Sequence, residues 1–161
     1  MAGVINVTSS NQAILTLGNS AVLAVPAAVG GFVVPLVQDV TVSAAPGTVR
    51  YSTLDSTASS AFTTTNENEI SFNMLLDDDV FFGLTNTDNE VANVGLLSTS
   101  IAKTEIFFSV AFEGNDSGDY YVSGQGFLGG LAPTASMDQA VWISPGTIIV
   151  NGELTKSTVT S

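Results

Sequence analysis

The chain has 161 residues, which suits a single domain, and sets 15 carboxylates against three basic side chains for a formal net charge of −12. Specific binding to nucleic acid is disfavoured, because its affinity comes mostly from cations that neutralise phosphates. The sequence has no cysteine and no histidine, so it lacks disulfides, thiolate metal ligands and the commonest general base. We therefore expect a protein without enzymatic activity, metal or cofactor.

The first 38 residues carry no charged side chain, and residues 13–37 form a long apolar run. No basic segment precedes this run, as a signal peptide would require, and glycine and proline interrupt it before a membrane helix could form. We expect residues 1–30 to supply a first strand and a loop, and we predict no membrane insertion. The sequence leaves open whether this part is ordered alone or only on assembly.

Short runs of β-branched residues and phenylalanine, separated by glycine and proline, indicate an all-β sandwich or barrel. A first hairpin is predicted with strands at residues 32–43 and 48–54 and a turn at "APG", residues 45–47. The single domain is expected to span residues 1–154, with a polar, loose tail at residues 155–161.

The segment 67–79 alternates between apolar and polar residues, as a half-buried strand does. Ile70, Phe72 and Met74 fall on the predicted inner side. Glu69, Ser71 and Asn73 fall on the side that faces water.

Three consecutive acids, Asp77–Asp79, precede the apolar residues 80–82 and predict the start of a short helix near residues 78–86. Carboxylates are favoured there, because they cap backbone N–H groups and interact well with the helix dipole. It is the one helix we expect. The alternatives are a solvated corner or a calcium site, although consecutive aspartates cannot all point at one ion.

A second hairpin is predicted over residues 105–128, with "GNDSGD" (114–119) as its turn. A last strand pair is predicted at residues 141–144 and 147–150, separated by "SPG". In the second hairpin, the polar positions that alternate with apolar ones are Glu113, Asp119, Ser123 and Gln125.

Three segments, taken in order, resemble the major tail tube proteins of bacteriophages with long non-contractile tails. They are "YSTLDSTASSAF" (51–62), "ISFNMLLDD" (70–78) and "YVSGQGFLGGLAPTASMDQAVWISPGTIIVNGEL" (121–154). Each segment is weak evidence by itself, and the resemblance lies in their order and spacing across residues 30–154.

The resemblance implies two packed antiparallel sheets with one short helix, six subunits in a ring, and rings stacked into a hollow virion tail tube through which phage DNA passes. It implies tail tip and tail terminator proteins as partners, and assembly in the cytoplasm of the bacterial host. The low charge agrees, because so apolar a chain needs an interface to cover its surface.

An acidic, hydroxyl-rich wall would let DNA slide without sticking. The alternative is that the same faces are ordinary outer surface. The candidate lumen-facing residues are Glu69, Ser71, Asn73, Glu113, Asp119, Ser123 and Gln125.

The only arginine, Arg50, stands five residues before Asp55 in the corner "TLDS". We assign Arg50, Asp55 and Trp142 to a subunit interface, where a guanidinium suits a buried ion pair. The alternative for Arg50 is an exposed ion pair of about 0–1 kcal/mol.

Other functions remain open at this point. A capsid decoration or cement protein, or a surface adhesin module, would share the composition. Carboxylate pairs such as Glu67 with Glu69, or Asp116 with Asp119, could serve a glycosidase as acid and base.

Overall fold

A computed structural model describes residues 14–19, 31–54, 58–83, 91–112 and 116–159. Within these ranges the strands are β1 (Ile14–Gly18), β2 (Gly31–Val33), β3 (Val37–Tyr51), β4 (Ser60–Leu75), β5 (Glu105–Ala111), β6 (Tyr120–Gly129), β7 (Thr134–Ser136), β8 (Gln139–Val150) and β9 (Thr155–Thr158). The helices there are α1 (Asp78–Phe82), α2 (Val91–Val94) and α3 (Leu96–Ala102).

The nine strands form one antiparallel sheet with the order β2-β1-β5-β6-β8-β4-β3. Outside this path, β7 pairs with β8 and β9 pairs with β6. The predicted all-β class is confirmed, and hydrogen bonds join the strands into a single sheet. The strand β3 lies at one edge and the much shorter β2 at the other.

One side of the sheet carries the core. Ile70, Phe72 and Met74 on β4 are fully buried, as their alternation predicts. They belong to the same apolar cluster as Phe108 on β5 and Leu96 on α3, so the helices pack over this side. Burying a side chain of this size contributes about 1.5–3 kcal/mol, which makes this cluster the main source of stability.

The predicted helix start at the three aspartates is confirmed. Asp77 caps α1, since its carboxylate accepts hydrogen bonds from the backbone N–H of Asp79 at 3.1 Å and of Val80 at 3.2 Å. The expectation of a single helix is wrong, because α2 and α3 follow. Gly95 precedes α3 with a φ of 87°, a conformation that glycine adopts without strain.

Both Pro-Gly pairs that predicted turns lie inside strands instead. Pro46 lies on the edge strand β3, at an irregularity of register between Pro46 and Thr48. Pro145 lies on β8, where pairing with β7 has ended at Ile143 and pairing with β6 begins only at Thr147. Proline is tolerated where its missing N–H breaks no ladder hydrogen bond, and both positions meet that condition.

The C-terminal segment is held by the sheet, although we expected a loose tail from residue 155. The strand β9 pairs with β6 over Tyr120–Ser123, and Val159 is buried against Ala111 and Tyr121. The Lys156 ammonium lies 4.6 Å from the centre of the Tyr120 ring, a cation–π contact. No helix among the described residues is long and apolar enough to cross a membrane.

Candidate assembly surfaces

The side of the sheet opposite the core holds the polar residues of β4. Glu69 is exposed, and Ser71 and Asn73 are half-buried. The Ser71 hydroxyl donates a hydrogen bond of 2.9 Å to Glu69, and the Asn73 amide donates to both carboxylate oxygens of Asp39 at 3.0 Å. These contacts hold two carboxylates in place on a hydrated surface, which we call the outer side.

Ser123 and Gln125 lie on the same outer side. Phe127 on β6 pairs with Ile149 on β8, which in turn pairs with Glu69 on β4. Cross-strand partners point to the same side of a sheet, and so do residues two apart along a strand. Five of the predicted lumen-facing residues therefore share the outer side of the sheet. Ser123 and Gln125 are half-buried, and they lie on β6, two strands from Glu69 on β4.

An apolar pair interrupts the outer side. One row crosses four strands in register, from Glu69 through Ile149 and Phe127 to Glu105. Ile149 is 60% exposed and Phe127 is 39% exposed. The sequence interpretation missed this pair, because it followed polar positions and did not ask which apolar residues shared their side.

The remaining two candidate lumen residues lie elsewhere. Glu113 falls outside the described residues. Asp119 lies in the turn before β6, where its carboxylate accepts a hydrogen bond of 2.8 Å from the backbone N–H of Asp116. Tyr121, two residues further along the same face, is buried under Val159, so this end of the face is covered. The structure does not bring Asp119 together with Glu69.

A two-stranded arm projects from the sheet. It consists of residues 45–51 of β3 and residues 60–67 of β4, which pair with each other. The next strand, β8, pairs with β4 only from Glu69 onward, and among the described residues no strand lies on the other side of β3. At about 3.3 Å per residue the arm extends about 20 Å beyond the three-stranded part of the sheet.

The two sides of the arm differ in polarity. Val49 faces Phe62 and Tyr51 faces Ser60 across the strands, so three large apolar side chains share one side. Their exposed fractions are 44% for Val49, 51% for Tyr51 and 53% for Phe62, and the two rings have centres 6.0 Å apart. We call this the apolar side of the arm. The opposite side carries Arg50.

Arg50 is exposed and pairs through its backbone with Ala61. Asp55, its predicted interface companion, falls outside the described residues. Thr53 and Leu54 of the "TLDS" corner follow β3 at the end of the arm, and the rest of the corner falls outside the described residues. The alternation of Val49 and Tyr51 could have revealed this hairpin, but the Pro-Gly pair at 46–47 predicted a turn too early.

Trp142 lies at the end of the sheet opposite the arm and is 53% exposed. Its carbonyl accepts a hydrogen bond of 2.9 Å from the N–H of Leu76, just beyond the last pair of β4 with β8. Met137 and Val141 on the β7–β8 hairpin are also exposed. We call Met137, Asp138, Val141 and Trp142 the β7–β8 patch.

The acid pairs have structural explanations. Asp116 and Asp119 form a turn, and Glu67 and Glu69 follow each other on the outer side of β4. Among the described residues, no group of three His, Cys, Asp or Glu side chains is placed to hold a metal ion.

Comparison with known proteins gives a consistent fold. No protein-family model matches the chain, and no curated protein is similar in sequence. Several solved structures are similar in fold, including the following three. The first is from the virion of a native gene transfer agent (GTA) particle, with 12% identity, a TM-score of 0.56 and coverage of 89% of this chain and 95% of that one.

The second is the tail of an empty GTA particle with C6 symmetry, with 12% identity, a TM-score of 0.58 and coverage of 90% and 96%. The third is the SPP1 tail tube, with 8% identity, a TM-score of 0.64 and coverage of 96% of this chain and 81% of that one. The chain therefore has the fold of tail tube proteins over most of its length.

Proposed function

We propose that this protein is the structural subunit of a phage-type tail tube, in which six copies form a ring and rings stack around a channel for DNA. The fold shared with the GTA tail and the SPP1 tail tube supports this proposal. The main observation in its favour is the arm, whose apolar side chains are too exposed to be accounted for by contacts within one subunit.

The arm presents apolar surface with no core beneath it. Val49, Tyr51 and Phe62 remain about half exposed, and every residue from 60 to 67 is exposed. A two-stranded ribbon by itself is at best marginally stable in water. Exposed apolar surface of this kind marks an interaction site, so we expect a second copy of the chain to cover the arm.

The sheet also has two unlike edges. The long strand β3 ends one side and the short β2 ends the other. Pairing one edge with the other edge of a neighbour is a head-to-tail contact, which closes into a ring when the rotation allows it. Closure would leave no strand edge open to other chains, and six copies would match the symmetry of the GTA tail.

The outer side suits a channel wall. Its exposed carboxylates include Asp39, Glu69 and Glu105. A surface of this charge repels phosphates, and it offers DNA no cation to bind as it moves. In the virion the tube would meet a tail tip and a tail terminator protein, and its subunits would be made in the host cytoplasm.

Negative-stain electron microscopy of the purified protein, well above micromolar concentration, tests the proposal. Hollow tubes with six-fold end views are expected. If only globular particles form, and they bind empty capsids, the protein is a capsid decoration protein and the tube proposal is wrong. Binding to cell surfaces instead would favour the adhesin.

A further inference from the structure

We propose that Asn151 is a site of spontaneous deamidation and that a hydrogen bond to Glu105 controls how fast it reacts. An Asn-Gly pair lies in an exposed connection after β8, and the asparagine amide is bound to a carboxylate on β5, two strands away. The reaction belongs to the subunit itself and does not depend on the proposed tube.

Asn151 has the neighbour that makes an asparagine most reactive. It alone among the asparagines of the chain is followed by glycine, which has no side chain to hinder its backbone nitrogen. Both residues are exposed in the connection between β8 and β9, and a Cβ atom on Gly152 would meet no atom within 4 Å. The nitrogen of Gly152 therefore has room to approach the side chain of Asn151.

The reaction consumes only water. The Gly152 nitrogen gives up its proton and attacks Cγ of Asn151, so a C–N bond forms, the bond from Cγ to Nδ2 breaks, and the amide nitrogen leaves as ammonia. Water then opens the cyclic imide and leaves the carboxylate of an aspartate or an isoaspartate. Nothing is oxidised or reduced. A cleft of about 300 Å³, lined in part by Gln125, Asn151 and Glu153, gives water access to this connection.

Two hydrogen bonds hold Asn151 away from this reaction. Its backbone N–H donates to the carbonyl of Gln125 at 2.8 Å, and its side-chain amide donates to the Glu105 carboxylate at 2.7 Å. Ring closure swings Cγ toward the Gly152 nitrogen, so the side chain must first leave Glu105. A hydrogen bond to a charged acceptor is stronger than one to a neutral acceptor, so Glu105 slows the reaction.

Deamidation would turn an attraction into a repulsion. It would place a carboxylate at position 151, where an amide now donates to Glu105. Asn151 ties the end of β8 to β5 across β6, so the sheet would loosen at this point. The variant Asn151→Asp carries the charge of the product, and its midpoint of urea unfolding should be lower than that of the unmodified protein.

Mass spectrometry of peptides from folded protein incubated at mildly alkaline pH measures the reaction. Glu105→Ala should deamidate at Asn151 roughly tenfold faster than the unmodified protein, because the bond to a charged acceptor is lost. Glu105→Gln keeps an oxygen acceptor without the charge, so its rate should lie between the two. The matched control is Glu153→Ala, which removes an exposed carboxylate two residues from Asn151 and leaves the bond to Glu105 in place.

The same incubation in concentrated urea gives the reactivity of the unfolded chain. There the bond to Glu105 is absent, so all four proteins should react at one fast rate at Asn151. Circular dichroism before the incubation without urea establishes that each variant is folded.

Faster deamidation of folded Glu105→Ala, with equal rates in urea, supports the proposal. Equal rates for the folded unmodified protein and Glu105→Ala overturn the control by Glu105, as does equal acceleration by Glu153→Ala. If Glu105→Ala does not fold, Glu105→Gln decides in the same way. A reaction in urea no faster at Asn151 than at the other asparagines overturns the site itself. An unchanged urea midpoint for Asn151→Asp would show that the bond to Glu105 does not hold the sheet. Whether tubes form affects none of these results, so the proposed function fails or stands separately.

Discussion

The ring of Phe72 packs directly against Gly146 of the neighbouring strand. A Cβ atom built on Gly146 would lie 2.3 Å from Cζ of that ring. Phe72 is fully buried at the centre of the apolar cluster, so it has no room to move aside. The glycine that looked like part of a turn is therefore the space into which a core aromatic fits.

This contact predicts that Gly146→Ala destabilises the subunit by about 1–3 kcal/mol, the usual range for overpacking a core. The midpoint of urea unfolding should fall while the slope stays the same. Gly129→Ala is the matched control, since a Cβ there meets no atom within 4 Å. Equal midpoints for the two variants would contradict the packing of Phe72 against Gly146.

The cap of α1 gives a second prediction. Asp77→Ala removes the acceptor for two backbone N–H groups and should lower the free energy of unfolding by about 1 kcal/mol. Asp78→Ala removes a carboxylate from the first turn and should cost only about 0.3–1 kcal/mol. Thermal unfolding followed by circular dichroism measures both. A larger loss from Asp78→Ala would show that Asp77 is not the cap.

The arm should affect assembly without affecting folding. Phe62→Ser removes an exposed ring, so the free energy of unfolding of the isolated subunit should change by less than about 0.5 kcal/mol. The protein concentration needed for assembly should rise, as sedimentation would measure. Thr63→Ser, on the other side of the arm, is the control. If Phe62→Ser unfolds the subunit, the ring belongs to the core and our description of the arm is wrong.

The outer side gives a prediction about DNA. Glu69→Lys places a cation among the carboxylates, and six copies in each ring would bind phosphates as DNA passes. Genome ejection from virions carrying this variant should slow, while tubes still form. Glu69→Gln is the control, because it removes the negative charge but keeps an oxygen that can accept the hydrogen bond from Ser71. Normal ejection with Glu69→Lys would place this residue away from the channel.

Prediction from the sequence was most successful where a periodic pattern of apolar residues follows directly from the surroundings of a single strand. The alternation of Ile70, Phe72 and Met74 predicted the inner side of β4, because a strand between core and water needs a period of two. The aspartates before α1 predicted the start of the helix correctly for a similar reason, since capping depends on residues that are close together in the sequence.

Prediction from the sequence failed where contacts between residues far apart in the chain determine the backbone conformation. Pro-Gly usually marks a turn, yet Gly146 faces Phe72, 74 positions away in the sequence. The helices α2 and α3 were missed because Gly83 and Gly95 allow two backbone segments to pack together, which no local pattern shows. Trp142 is exposed, and its assignment to an interface stays a prediction. Its place opposite the arm required the register of β4 and β8.

The irregularity at Pro46 and Gly47 has a consequence for the subunit before it assembles. A flat edge strand of 15 residues is a template on which other chains can add strands. Pro46 presents no N–H at that edge, and a Cβ on Gly47 would lie 2.2 Å from Thr64 Oγ1, so the two strands meet closely at a bulge. The edge of β3 is thereby divided into two shorter stretches, each a poorer template for the strands of other chains. The subunit therefore resists aggregation at this edge before it assembles.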